Sequence, residues 1–455
     1  MRRRYKAYGV VAVVTLVAAL AAGTASAQTS STTAKSSGSS SIVTGPNLSL
    51  NAKTLKLVQK DPLKGATATG LTRGVTSSQV KLGCYLQAAA FAGAEDAMRA
   101  RFERANKKHE LPGKRTINFT GCSDDGANPQ TDLQIVQRLV QQDQVFAVLG
   151  ISQSILPSST DFLNNQQVPY FGWGFLPGFC GTRWGFGWNG CLVSDDKDLK
   201  HPTLQANLGE APIKATGQSP SQVRAAFQAE DTDSGHLGNV DYTKIFQQVG
   251  AKVVYAQANM PVQTSDYTPY VRAVTAANPN VVLVSTSFTN VGGLSAALTA
   301  GGYKGLSVNF VGYLPGIIDK SAQLATALNG TSINNQTVPA EQNTAYVKQI
   351  QKDLQAIGKN TAINNNVSIG YAEADELVAM LKAAGKTLNT KTFDQAVNNP
   401  KKPFTYDSFS KGGPGSVQYP AHHQVPTDCS AMVKYTNPSG YSVEVPFTCY
   451  KTVVE

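Results

Sequence analysis

The residues able to do chemistry are few and scattered. Six cysteines, Cys84, Cys122, Cys180, Cys191, Cys429 and Cys449, follow an N-terminus that reads as an export signal. In an exported chain they read as disulfides, and no paired CxxC with histidines suggests zinc. Many pairings are open. Proximity favours Cys180 with Cys191 and Cys429 with Cys449, which leaves Cys84 with Cys122. His422-His423 has no partner cluster and reads as a turn, so no metal is expected. Asp195-Asp196 reads as solvated surface. Ala384-Gly385-Lys386-Thr387 ends like a phosphate loop, but Met380 stands at the earlier glycine position; the segment is a helix C-cap. No HExxH or GxSxG occurs. No catalytic residue or cofactor is called for, and the chain is expected not to be an enzyme. What remains is recognition chemistry: hydroxyls and aromatic rings at the ends of strands.

The elements that must position these residues are legible in pattern. Arg2, Arg3, Arg4 and Lys6 precede an apolar run from Gly9 to Ala22, and Ala25-Ser26-Ala27 offers a cleavage site. The run is about 14 residues, short of the roughly 20 of a spanning helix. Residues 1–27 are therefore read as a signal peptide, and the chain as secreted or held at the cell surface or in a periplasm. The first cysteine is Cys84, so no cysteine follows the run to take a lipid. Residues 28–74 are a Ser/Thr-rich linker and a loosely ordered lead-in. Losing the four basic residues takes the formal charge from +10 to +6. The rest are scattered, with no arginine stripe, so nucleic-acid binding is not expected.

From Val75 onward, strands and helices alternate. Val80 to Tyr85, Arg115 to Cys122, Val145 to Leu149 and Val168 to Phe171 read as strands. Phe91, Ala94, Met98, Phe102 and Ala105 recur at helical spacing. Asn128 caps a helix with Pro129 in its first turn. The pattern restarts with strands at Val223 to Gln228, Val253 to Ala256, Val281 to Ser285 and Leu306 to Val311. Long helices follow over 344–357 and 371–384, then strand-like runs such as Ala431 to Tyr435. Alternation of this kind predicts an α/β fold of parallel sheets with helices on both faces. A body of about 380 residues exceeds one comfortable core, so two lobes are expected.

These residues resemble the leucine/isoleucine/valine-binding branch of type I periplasmic binding proteins. The likeness starts at Arg73-Gly74-Val75-Thr76 and continues through Gly93-Ala94-Glu95-Asp96-Ala97, Asp124-Asp125 and Asn128-Pro129-Gln130. It goes on through Val168-Pro169-Tyr170-Phe171, Gly250-Ala251-Lys252-Val253-Val254, Ser265-Asp266-Tyr267, Pro279-Asn280-Val281-Val282 and Gly370-Tyr371-Ala372 to Gly385. Each piece is weak alone; their shared order carries the resemblance. It implies two α/β lobes joined by three hinge crossings, expected near 187–195, near Pro315 and near 401–413. The expected division is lobe 1 over 75–190 and 316–400 and lobe 2 over 191–315. Hinge and closing strands, mostly lobe 2, take 401–455.

The resemblance also implies a site. Parallel strands leave a crevice beyond their carboxyl ends, where helix N-termini present free N–H groups. Ser154 matches the position that meets a ligand carboxylate, with Ser152 beside it. The loop Trp173-Gly174-Phe175 offers backbone and a ring face. Ser234 stands where relatives carry Tyr, Phe288 matches an aromatic contact, and Tyr313 ends a later strand. Relatives that bind amino acids place a Glu near Leu314 for the ammonium group. Its absence leaves only Asp231 or Asp233 as counter-charge. The implied function is solute binding for an ABC-type importer, with a small polar ligand (amino-acid-like, amide or carboxylate), a membrane permease as partner, and a monomeric state. Two other readings stand beside it: a ligand sensor for a signalling receptor, and a secreted hydrolase.

Overall fold

The computed structural model describes residues 56–454, except positions 59, 61, 154, 156 and 193–202. The signal peptide and most of the linker therefore lie outside the described residues.

Two mainly parallel sheets organise the chain. The first has the order β2-β1-β3-β4-β5, with β1 Gln79–Leu86, β2 Thr116–Asp124, β3 Ala147–Ile151, β4 Tyr170–Gly172 and β5 Gly185–Gly187, all parallel. Helices α1 Ala94–Lys107, α2 Pro129–Gln141 and α3 Pro157–Asn165 connect them. Asn128 caps α2 as its sequence predicts, accepting from the Gln130 and Thr131 N–H groups, with Pro129 at the first position. β3 is buried along its whole length, as expected of a central parallel strand. β5 was not legible in sequence, since its Gly-Phe-Gly carries little strand signal.

After the short strand β6 Thr203–Leu204 and helix α4 Asn207–Thr216, the second sheet begins. It contains β7 Arg224–Glu230, β8 Lys252–Met260, β9 Val281–Ser285, β10 Leu306–Asn309 and β11 Ser332–Asn335, interleaved with α5 Asp233–Gln248, α6 Thr268–Ala276, α7 Phe288–Ala300 and α8 Ala322–Ala327. Later strands β14 Cys429–Thr436 and β15 Gly440–Cys449 add an antiparallel hairpin at the β11 edge. Between them lie α9 Ala345–Ala356, α10 Asn365–Ala384, α11 Thr390–Val397 and the hairpin β12 Phe404–Asp407 with β13 Ser416–Tyr419. The terminal β16 Val453–Val454 pairs with β6.

Each sheet has its own core. Residues of α10, α11 and β13 join the core of the first sheet, while the second sheet is packed on both faces. A further cluster unites Ala97 and Ala100 of α1 with α9, α10 and the Cys429–Cys449 end of the β14–β15 hairpin. The three disulfides are Cys84–Cys122, Cys180–Cys191 and Cys429–Cys449, the pairing that proximity favours.

Several expected boundaries move. Pro315 is not a crossing: β11 follows it and pairs with β10, so the chain leaves the second sheet only after Asn335. The segment 401–413 is not one either, because Val417 and Tyr419 still pack in the first core. The helix expected from Tyr371 begins at Asn365, where the Asn364 side chain accepts from the Val367 N–H. The lead-in is packed: Val58 is buried with Ala421 and Val425, and hydrogen bonds fasten it from Lys64 onward. Lys64 N–H donates to Gly181 O at 2.8 Å, Trp184 Nε1 to Ala66 O at 2.8 Å and Arg73 Nε to Val145 O at 3.0 Å.

His422 and His423 sit in a buried 3-10 turn between β13 and β14. His423 lies between Gly185 O (2.9 Å) and Asn398 Oδ1 (2.7 Å). Burial pushes the two imidazoles down, to about 4 for His422 and about 3 for His423. An unfolded chain takes up these protons below about pH 6.5, whereas the fold resists doing so. Their contribution to stability is therefore complete above that pH and shrinks as pH falls toward 4. For His422 alone it amounts to about 3 kcal/mol. Thermal melts from pH 7 to pH 4.5 should fall steeply in the wild type and less steeply in H422N. Parallel curves would remove His422 from the acid response.

Candidate functional site

The carboxyl ends of the parallel strands gather the recognition residues. In the first sheet, β1 leads to Gln87, β2 to Asp124-Asp125, β3 to Ser152 and β4 to Trp173. Asp124 Oδ1 accepts from the Ala88 N–H (3.1 Å) and the Gly126 N–H (3.0 Å), clamping the turn after β1 to the turn after β2. Asp125 is buried. It accepts from the Ala127 N–H at 3.0 Å and from the Ser152 hydroxyl, and its Oδ2 is left without a partner. Burial pushes its carboxyl up, with the Ser152 bond opposing. Gly150 must be glycine, since a Cβ there would lie 2.0 Å from the Tyr85 ring. Ser152 is thus a buried hydroxyl oriented by a carboxylate. Ser154 lies outside the described residues.

Trp173 is nearly buried and stacks edge-on against Phe175, with ring centroids 4.9 Å apart. Its Nε1 donates to Gln336 Oε1 at 2.9 Å, and Asn189 Nδ2 donates to the same oxygen at 3.0 Å. Gln336 follows β11 and Asn189 follows β5, so Trp173 is fastened to both chain passages. The Gly174 N–H donates to Asn189 Oδ1 at 3.0 Å, and its carbonyl accepts from the Leu192 N–H. A Cβ on Gly174 would meet Gly190 O at 1.8 Å. Its backbone groups are spent on packing. Trp184 and Trp188 are buried in the first core.

In the second sheet the expected counter-charges are open to water. Asp231 is exposed and pairs with His236 at 2.8 Å; Asp233 is exposed in the first turn of α5. Ser234 follows it, half-buried. Phe288 is the first residue of α7, and its side chain is not among those described. Tyr313 is turned into the core at 0 % exposure. Its hydroxyl donates to Glu341 Oε2 and accepts from the Ala340 N–H, both at 2.8 Å, so neither face of that group is left for a ligand. The reason is local: Tyr441 packs on its ring at 5.0 Å and pulls it inward.

The carboxylate that does occupy the strand ends is Glu230, the last residue of β7, at 6 % exposure. Its Oε1 accepts from the Ser287 hydroxyl and from Asn290 Nδ2, each at 2.6 Å. Tyr267 Oη donates to Asn290 Oδ1 at 3.1 Å. Burial pushes the Glu230 carboxyl up, and the Ser287 and Asn290 bonds oppose this. Sequence reasoning passed over Glu230 for its neighbours Asp231 and Asp233. The available signal was its position, since the last residue of a buried parallel strand faces the crevice.

The profile of the periplasmic binding protein family matches residues 86–440. The chain belongs to that family. Among curated proteins nothing matches. Among solved structures it resembles a fatty acid ABC transporter substrate-binding protein from Thermomonospora curvata. The TM-score is 0.66 at 14% identity, covering 84% of this chain and 94% of that one. It also resembles an ABC transporter solute-binding protein from R. palustris in complex with 4-hydroxybenzoate (TM-score 0.63, 14% identity, 82% and 98% covered). A possible leucine/isoleucine/valine-binding protein from Rhodopirellula baltica SH 1 is similar to the same degree (0.64, 13%, 83% and 98%). At these identities the likeness bears on the fold: parallel sheets flanked by helices, as in other periplasmic binding proteins. Among the described residues no group of His, Cys, Asp or Glu could hold a metal ion, and no helix is long and apolar enough to cross a membrane.

Proposed function

We propose that this periplasmic binding protein captures a small organic acid, aromatic by preference, for an ABC-type importer. On this reading the two sheets are the cores of two lobes, and hinge closure between them is what a permease reads. Residues 1–27 export the chain, and it works as a monomer outside the cytoplasm. The observation that carries the ligand class is the Trp173–Phe175 pair at the end of β4, one strand from the buried hydroxyl of Ser152. Aromatic faces accept a ring, and the helix N–H groups at the strand ends receive a carboxylate, the Ser152 hydrogen being given to Asp125. The solved relatives that hold benzoate, 4-hydroxybenzoate and 3,4-dihydroxybenzoic acid support it. Leu314, buried where amino-acid binders carry Glu, argues against a free amino acid.

A thermal-shift panel of benzoate, 4-hydroxybenzoate, a fatty acid and leucine tests the proposal. A ligand at one hundred times its Kd adds about 2.7 kcal/mol to the folded state. An aromatic acid should raise the melting temperature. Ser154→Ala should weaken that ligand's binding about tenfold, the worth of one charge-assisted hydrogen bond, without altering the unliganded melt. A shift with leucine and none with any acid would reject the ligand class.

A further inference from the structure

A cavity of about 470 Å³ opens on the outer side of the first sheet, between α1, α9, α10 and β12. It is remote from the strand ends. Helix α1 leaves the carboxyl edge of β1 and runs back, so the last turns of α1, which line the cavity, lie toward the opposite edge of the sheet. Five basic side chains line it against three acidic ones.

The two arginines have consumed the acids. Arg101 pairs with Asp375 and, at 2.9 Å, with Glu110. Arg104 pairs with Asp353 at 2.8 Å and with Asp375 at 3.2 Å. Tyr406 donates its hydroxyl to Asp375 and Tyr371 donates to Asp353. Asp407, the third acid, accepts from the Ser416 hydroxyl and the Ser410 N–H. What the cavity still offers are ammonium groups. Lys108 and Lys411 are exposed at its rim, with no ion pair among the described residues. Lys382 stands 3.7 Å from Glu110, too far for a hydrogen bond. Ala345 and Tyr346, the first residues of α9, form one wall and bring the positive end of that helix to the cavity.

We propose that this cavity binds a small polyvalent oxyanion of the phosphate type. With Asp353 counted, five basic groups face four acids, and the exposed ammonium groups of Lys108 and Lys411 are free of ion pairs among the described residues, which suits an oxyanion. The volume admits more than a single phosphate, so a diphosphate or a phosphate monoester fits the space. The site is independent of the cleft ligand.

Titration calorimetry with inorganic pyrophosphate at low salt tests this, with citrate and inorganic phosphate as further arms. Pyrophosphate should bind the full-length mature protein and weaken as sodium chloride rises, because exposed ammonium groups are screened. The double variant K108E/K411E should lose at least about tenfold in affinity and melt unchanged without ligand. If charge reversal disturbs the melt, K108A/K411A is read instead, with loss again expected. No binding by the wild type, or equal affinity in the variants, would overturn the proposal. Citrate binding as tightly as pyrophosphate would overturn the phosphate assignment.

Discussion

Full reduction of the three disulfides should leave the protein unfolded at 37 °C. The bonds close loops of 38, 11 and 20 residues. By the loop-entropy relation these are worth about 4, 3 and 3 kcal/mol. Folded domains commonly hold only about 5–15 kcal/mol in total. Each bond also has a distinct task. Cys84–Cys122 ties β1 to the edge strand β2. Cys180–Cys191 holds the turn before β5 to the passage leaving the first sheet. Cys429–Cys449 closes the open end of the β14–β15 hairpin, where it packs under α9 and α10. Melts with and without a phosphine reductant measure the effect, and the variant C84S/C122S isolates the longest loop. Six alkylatable thiols in the native protein, or a reduced protein that melts like the oxidised one, would defeat the expectation.

The double variant E373Q/E376Q should melt measurably higher than the wild type at pH 8. Glu373 and Glu376 lie on α10, fully buried, and none of their four carboxyl oxygens makes a well-formed hydrogen bond. The Tyr419 hydroxyl nearby donates to Gly187 O at 2.9 Å instead. Burial pushes both carboxyls well up. Glu376 raises Glu373 further, against the Gly150 N–H, and at Glu376 the Tyr419 hydroxyl opposes the rise while Asp375 adds to it. A group raised in the fold stabilises fully below its unfolded value and loses that contribution as pH rises through the folded one. The wild type therefore carries a growing cost from about pH 4.5 upward, where an unfolded chain would release both protons. Glutamine keeps the size and removes the proton. The variant and wild type should converge near pH 4 and separate by about 1–3 °C at pH 8, the shift expected of 1–2 kcal/mol in a body of this size. Identical pH profiles would show that the pair is compensated. The sign is opposite to that of His422 and His423, so the two effects are separable by pH.

Much of the fold was legible because parallel α/β units write themselves locally. Val281 to Ser285 is a strand in sequence and in structure, since four consecutive apolar residues are buried on both faces. Asn128-Pro129 marks a helix start through capping chemistry that needs no distant partner. The disulfides follow from proximity for the same reason. The candidate site was less legible. Tyr313 was placed at the crevice from its strand-end position, but Glu341 and Tyr441, remote in sequence, draw it inward. Glu230 was missed because a carboxylate beside two others carries no local mark of burial. Its donors Ser287 and Asn290 come from another strand-to-helix turn.

The amino-acid order alone determined an α/β chain of the periplasmic binding protein kind, with three cystine links and with strand ends that carry hydroxyls and rings. These depend on periodicity, capping and composition over a few residues. Only the tertiary structure decided where the chain passes between sheets, that the lead-in is packed from Val58, which carboxylates are buried, and that cations gather on α1, α10 and near β12. Each of those is a long-range contact, set by which helix lies against which sheet, and no window of sequence contains both partners.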